Sequence, residues 1–467
     1  MSLLKRHLRV NTCKECTNRC VNQKACDEAK KPVRNYDGIR FTSDGFDCAL
    51  PISIDSHTVC SYGCLYCFSD NLVQHREGAR RAIGQMSLAK LEAIFAGGGG
   101  KRAARIRKAL KYDRKKNGYP CAVQLGAICD PADNIERQQG WLLEFLKISQ
   151  KYGQPVRASV KGDAFLHKDY TDIVARRPDL LWVAFSIITC DDELLERIDR
   201  RAPNATQRLK VMKHLSDLGV KTSLRFRPIL PCISDSTKKY PQAYKTLIHK
   251  AAEAGCKAIS YEVGFVPSAV PKDIKARWQA IADITGVPFF DLYRSFGKSM
   301  ACMRPPFSWT ENIMHAIKEE AVKCGLTVGV SDPVWKQLTD SGCCCGILPD
   351  DPVFGNWERE NATNALFEAK KTGKEITLKD IVPPWASEQL LCEMVNMGVG
   401  PKIVYKRKHL TWADKLKDVW NGLETQRGPL NYFQGALMPV RRDEEGNMVY
   451  EYKGLERQNR KVKYWKT

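Results

Sequence analysis

The 467-residue chain has no long hydrophobic run, which argues against a membrane-spanning helix. Its longest apolar stretch, Leu180 to Cys190, is about half of what a transmembrane helix needs. The first ten residues carry Lys5, Arg6 and Arg9 but no apolar core, so they do not read as a secretory signal. Acidic residues are scarce: 53 Asp and Glu stand against 74 Lys and Arg, a formal net charge of +21. No amphipathic membrane helix or lipidation signal accompanies that charge. The expected polyanionic partner is therefore nucleic acid, with DNA first, rather than a membrane. No internal repeat is present. A globular protein of the cytoplasm is expected.

Cysteine, by contrast, is abundant, with 19 residues. In a reducing compartment such a set reads as metal ligands and reactive thiols. Cys60, Cys64 and Cys67 are spaced Cys-x-x-x-Cys-x-x-Cys. Three thiolates on one short loop hold three irons of a [4Fe-4S] cube and leave the fourth open. An open iron takes the amino and carboxylate groups of S-adenosylmethionine, and one electron then splits the sulfonium to give a hydrogen-abstracting 5'-deoxyadenosyl radical. The competing reading is a structural zinc loop, although zinc is commonly closed by four ligands. A second group, Cys13, Cys16, Cys20 and Cys26, fits either zinc or an auxiliary [4Fe-4S] cluster. In a third, Cys343, Cys344 and Cys345, adjacent side chains are expected to point apart, which disfavours one shared metal.

The chain divides by pattern into three. Residues 1–44 are a polar, Cys-rich lead-in. Residues 45–330 alternate candidate strands with helices: strands at Phe46–Ile54, Cys121–Ile128, Val156–Val160, Leu181–Ile187, Val220–Arg225 and Ala258–Val263, helices at Gly140–Tyr152, Thr206–Leu218 and Tyr240–Ala254. This predicts an α/β fold, a partial (β/α)6 barrel with chemistry at the C-terminal ends of its strands. An insertion at 97–118 is strongly basic. Lys101, Arg102, Arg105, Arg107 and Lys108 are candidate phosphate contacts there, against the plainer reading of a solvated helix face. Residues 331–467 form a basic α+β extension with interleaved aromatics, read either as stacking platforms or as the core of a small appended unit.

From Thr58 to about Asp235 the chain resembles the spore photoproduct lyase family of radical SAM proteins. The motifs are Cys60-Ser-Tyr-Gly-Cys64-Leu-Tyr66-Cys67-Phe68, Gly126-Ala-Ile-Cys-Asp130-Pro131 running to Glu136, Val160-Lys161-Gly162, Ala184-Phe-Ser186-Ile-Ile-Thr189, Asp199-Arg-Arg-Ala202-Pro203 and Arg227-Pro-Ile-Leu-Pro231. The resemblance implies that Cys60, Cys64 and Cys67 bind the cluster and that Tyr66 packs near the adenine. It further implies that Lys161 and Ser186 hold the carboxylate and ribose of S-adenosylmethionine, supported by Arg208. Cys129 is implied as hydrogen donor to a substrate radical, against the plainer reading of a small buried residue. An electron donor of flavodoxin or ferredoxin type is expected. Phe68, Gly162 and Asp199 depart from the family pattern. With the added cysteine groups and basic tail, they favour rearrangement of a 5-substituted thymine during DNA hypermodification, as in phage systems, where the protein would work in the host cytoplasm. The alternatives are repair of a thymine dimer and modification of RNA or a peptide.

Overall fold

The computed structural model describes residues 33–36, 38–42, 46–69, 83–267, 272–294, 298–299, 302–391, 410–423 and 428–454. Cys13, Cys16, Cys20 and Cys26 lie outside these.

The centre is an eight-stranded sheet. Its strands are β1 (Ile39–Phe41), β2 (Ile52–Ile54), β3 (Val123–Leu125), β4 (Val156–Val160), β5 (Leu181–Ser186), β6 (Lys221–Ile229), β7 (Ala258–Val263) and β8 (Thr327–Val330). Their order across the sheet is their order in the chain. β1 runs antiparallel to β2 at one edge, and every other pairing is parallel. The fold is thus α/β with a mostly parallel sheet. β4 and β5 are buried along their whole length, as parallel strands covered on both faces must be.

Two sheet members escape the sequence pattern. The edge strand β1 falls inside the stretch read as a lead-in. β8 is a parallel strand beyond the six expected, and Thr327-Val-Gly-Val330 is too short and too glycine-broken to announce itself. The Gly329 position has a reason: a Cβ there would meet the Cys344 carbonyl oxygen at 2.4 Å.

The crossover helices follow from their apolar stripes. Trp141–Tyr152 buries Trp141, Leu142, Phe145, Leu146 and Ser149, the spacing of one helical face. Ala205–Asp217 starts at Asn204, whose side chain accepts from Gln207 N at 3.0 Å. Gly219 and Gly255 follow the second and third predicted helices with positive φ, as expected of residues just past a helix end.

After β8 the chain returns beneath the sheet. Cys343, Cys345, Ile347, Phe354 and Trp357 pack with Leu50, Cys121, Leu180, Trp182 and Ala258. Those partners stand at or just before the starts of strands, so this segment plugs the N-terminal ends of the sheet. Further on, Trp385, Trp412, Trp420, Phe433 and Tyr450 are all buried in the main core. Among the described residues, these interleaved aromatics of the extension are packing residues.

Candidate active site

Chemistry-bearing residues gather at the opposite, C-terminal ends of the strands. A pocket of about 1000 Å³ opens there, and Cys60, Cys64, Cys67, Cys129, Lys161 and Ser186 all line it. Tyr66 joins them, with Phe68 and Trp278 along the wall.

The Cys60–Cys67 loop follows β2 and is pinned from below by the segment after β3. Asp133 Oδ2 accepts from Ser61 N at 2.7 Å, Ser61 Oγ accepts from Asn134 N at 3.1 Å, and Tyr62 Oη donates to Ala132 O at 3.2 Å. From the helix Asp192–Asp199, Ile198 O accepts from Leu65 N at 3.0 Å. This crowding accounts for Gly162, one departure from the family pattern. A Cβ at that position would lie 1.9 Å from Ala132 O and 2.7 Å from Tyr62 Oη.

Among the described residues, the one trio of metal-capable side chains with ligand atoms all within 4.8 Å of one another is His249, Glu320 and Cys324. The three loop thiols are not all within that distance of one another. Burial pushes the Cys60 thiol well above its usual range and Cys64 up to about 12. Such thiols ionise when a metal takes the proton's place.

Lys161, at the end of β4, brings the implied cofactor residues together. Its Nζ lies 3.0 Å from both carboxylate oxygens of Asp199, 2.6 Å from Tyr66 Oη and 3.1 Å from Cys64 Sγ. Arg208, fully buried, donates to Asp199 Oδ2 at 2.6 Å and to Ser186 O at 2.7 Å. Burial opposes the charge on Asp199, but Lys161 and Arg208 outweigh it and hold the carboxyl well below the usual range. Burial likewise works against the charge of Lys161, and Asp199 more than restores it.

Asp199 is thus the hub that sequence reasoning missed, having noted it only as a departure. It closes the helix Asp192–Asp199, where the helix dipole disfavours an acid, and its buried cations offset that cost.

Cys129 is buried against the pocket floor. Its backbone N donates to Asp55 Oδ1 at 3.3 Å, and its Sγ lies 3.5 Å from Ser56 Oγ. Ser56 Oγ sits 2.7 Å from His57 Nδ1, whose Nε2 is 3.4 Å from Asp133. Burial, then the Asp55 charge, push the Cys129 thiol well up, so it stays protonated.

The basic insertion forms the helix Gly100–Ala109, and most of its cations serve their own chain. Arg102 donates to Ile39 O at 2.8 Å, and Arg105 to Gln389 Oε1 at 3.3 Å. Arg107 donates to Phe95 O at 2.6 Å and stacks 4.1 Å over Tyr112, while Lys108 pairs with Glu388. Lys101 is exposed. In the triple-cysteine loop Cys343 and Cys345 are buried and Cys344 is half-buried, and the turn ends at Gly346, with φ +74°.

Also unforeseen are Arg225, Arg227 and Glu262 on the pocket wall. The alternation Arg225-Phe-Arg227 within a buried strand was the mark of them.

No family model matches the chain, and no curated protein matches it. Solved structures do. The chain is similar to spore photoproduct lyase complexed with dinucleoside spore photoproduct, at 14% identity and TM-score 0.46 over 63% of this chain and 80% of that one. A tyrosine-to-phenylalanine mutant of spore photoproduct lyase gives 14% identity and TM-score 0.48, over 68% and 87%. A double mutant with bound AdoMet and dinucleoside spore photoproduct gives 15% identity and TM-score 0.42, over 65% and 82%. Likeness at this level carries no chemistry by itself; the side chains carry it.

Proposed function

We propose that this chain is a radical SAM enzyme acting on a thymine-derived base in DNA. Cys60, Cys64 and Cys67 would hold a [4Fe-4S] cluster. Lys161, Ser186 and Tyr66, with Arg208 behind them, would hold S-adenosylmethionine beside it. When bound, that pair supplies one-electron cleavage of the sulfonium and, from it, a hydrogen-abstracting species. The chain's own part is to position and to exclude water. Asp199 fixes the Lys161 ammonium at the loop, Arg208 locks Asp199 to the Ser186 backbone, and Phe68 and Trp278 wall the pocket. A duplex base would have to leave its stack to enter.

The observation that carries this reading is the convergence of the three-thiol loop with the Lys161–Asp199–Arg208–Ser186 network on one pocket. The net charge of +21 supports a polyanionic substrate. Within this class we favour rearrangement of a 5-substituted thymine, the N-terminal cysteines serving an auxiliary [4Fe-4S] cluster or zinc and an external flavodoxin- or ferredoxin-type protein supplying electrons. One feature favours the second reading, thymine-dimer repair. Cys129 is a protonated thiol on the pocket floor, with a hydrogen atom to return to a product radical. Anaerobic reconstitution with deuterated, thymine-containing DNA, followed by mass analysis of deoxyadenosine and digested nucleosides, separates the two. Deuterium in deoxyadenosine with an isomeric nucleoside supports rearrangement, and restored thymines support repair. Absence of deuterium transfer from DNA refutes both.

A further inference from the structure

The pocket face of the sheet carries more cation than its neighbours can answer. Alternation along β6 puts Arg225 and Arg227 on the same face. The strand register sets Ser186 beside Arg225 and Arg225 beside Ser260. Both arginines line the pocket. Arg157 stands on β4 four residues before Lys161, about 13 Å further down the strand, and is only 2% exposed.

Their partners are few. Arg225 donates to Ser186 Oγ at 3.2 Å. Arg227 donates to Ser260 Oγ at 2.6 Å and lies 3.5 Å from Glu262. Arg157 reaches Gln124 Oε1 at 2.6 Å and Ser159 Oγ at 3.2 Å. Arg157 Nε and Nη2 and Arg227 Nε are buried without a hydrogen-bond partner. Nearby cations are matched differently: Arg40 pairs with Asp55, Lys336 with Asp47 at 2.9 Å, and Lys161 with Asp199. Among the described residues, Glu262, beside Arg227, is the one carboxylate that pairs with any of the three. Burial and repulsion from Arg227 and Arg157 push Arg225 down to about 9. Buried charge without counter-charge is costly to a fold, and a ligand anion would relieve it.

We propose that Arg225 and Arg227, which line the pocket, form an oxyanion subsite that receives a carboxylate or phosphate carried by the substrate, with Arg157 as a buried cation on the same sheet face. Guanidinium forks suit such planar or tetrahedral oxyanions through paired N–H donors. The assignment rests on the functional reading above, in which Lys161 already serves the carboxylate of S-adenosylmethionine. It adds what that reading lacks, a substrate that enters the pocket with a negative charge of its own.

Equilibrium binding to the reconstituted protein tests it with three probes: neutral thymidine, thymidine 5'-phosphate, and 2'-deoxyuridine bearing a carboxymethyl group at C5. At least one anionic probe is expected to bind about tenfold tighter than thymidine or more. Preference for the carboxymethyl probe places the anion on the base, and preference for the phosphate places it on the backbone. Arg157→Gln and Arg227→Gln should erase the preference, while Arg227→Lys retains part of it. Equal binding of all three probes by the wild-type protein overturns the subsite, and no variant need fold for that result. Deoxyadenosine formation by the wild-type protein is scored separately. If it forms while the probes bind equally, only the subsite fails. If it never forms, the functional reading fails whatever the probes do.

Discussion

Arg102, Arg105 and Arg107 on the helix Gly100–Ala109 and Arg157, Arg225 and Arg227 on the sheet face meet opposite surroundings. The first three come from a stretch with a single acid, yet the fold answers them with carbonyls, an amide and a tyrosine ring. The second three lie scattered through strands that read as ordinary β-structure, yet Arg157 and Arg227 end with buried N–H groups unanswered. A dense run of charge in the sequence therefore located structure, and two of the sparse set, Arg225 and Arg227, line the pocket. What separates them is whether the chain itself supplies the counter-group.

That contrast can be broken by removing counter-groups in each region. Asp199→Asn should have the largest effect, because it leaves Lys161 and Arg208 buried with no anion. A loss of about 3–5 kcal/mol is expected, read as a lower denaturant midpoint at unchanged m-value. A loss under 1 kcal/mol would show that the hub is not the anchor described here.

Next in size is a pH effect. Glu136 is almost wholly buried, and burial pushes its carboxyl from 4.5 up to about 7 despite bonds from Leu142 N and Tyr170 Oη. A raised carboxyl favours folding while protonated. Its contribution, up to about 3 kcal/mol, is full below pH 4.5 and is lost as pH rises through 7. Glu136→Gln should flatten that part of the stability profile, and an unchanged slope would contradict the assignment.

Arg107→Ala removes the donor to Phe95 O and the stack on Tyr112, and should cost about 1–2 kcal/mol. Glu388→Gln frees only the half-exposed Lys108 and should cost less than about 1 kcal/mol. The smallest change is expected from Lys101→Ala, which should lower the salt slope of DNA binding by about one or less while leaving stability alone. A larger drop would restore the helix as a main DNA contact.

The sequence was most legible where chemistry demands fixed spacing. Cys60, Cys64 and Cys67 stood out because three thiols so closely spaced on one loop form a metal-ligand pattern, and Lys161 and Ser186 because their motifs recur in order at strand ends. The central strands were legible because their apolar runs are long enough to register. Asp199 was not, since its partners lie 38 residues back and 9 ahead and no local pattern joins them. The triple cysteine was equally opaque: its packing against Trp182 and Phe354 depends on a chain return that no periodicity announces. Gly162 looked like erosion of a motif until its missing side chain proved to be where Ala132 O must pass.

The central claim is that a three-cysteine loop leaves one iron open for S-adenosylmethionine. Its most direct measurement is 5'-deoxyadenosine yield from anaerobically reconstituted protein under strong reduction, wild type beside Cys64→Ala. The wild type should hold four irons and sulfides at this loop and form deoxyadenosine, while the variant should lose both the brown absorbance of that cluster and all product. Zinc at the loop of the native protein with no deoxyadenosine formed, or wild-type yield from the variant, would contradict it.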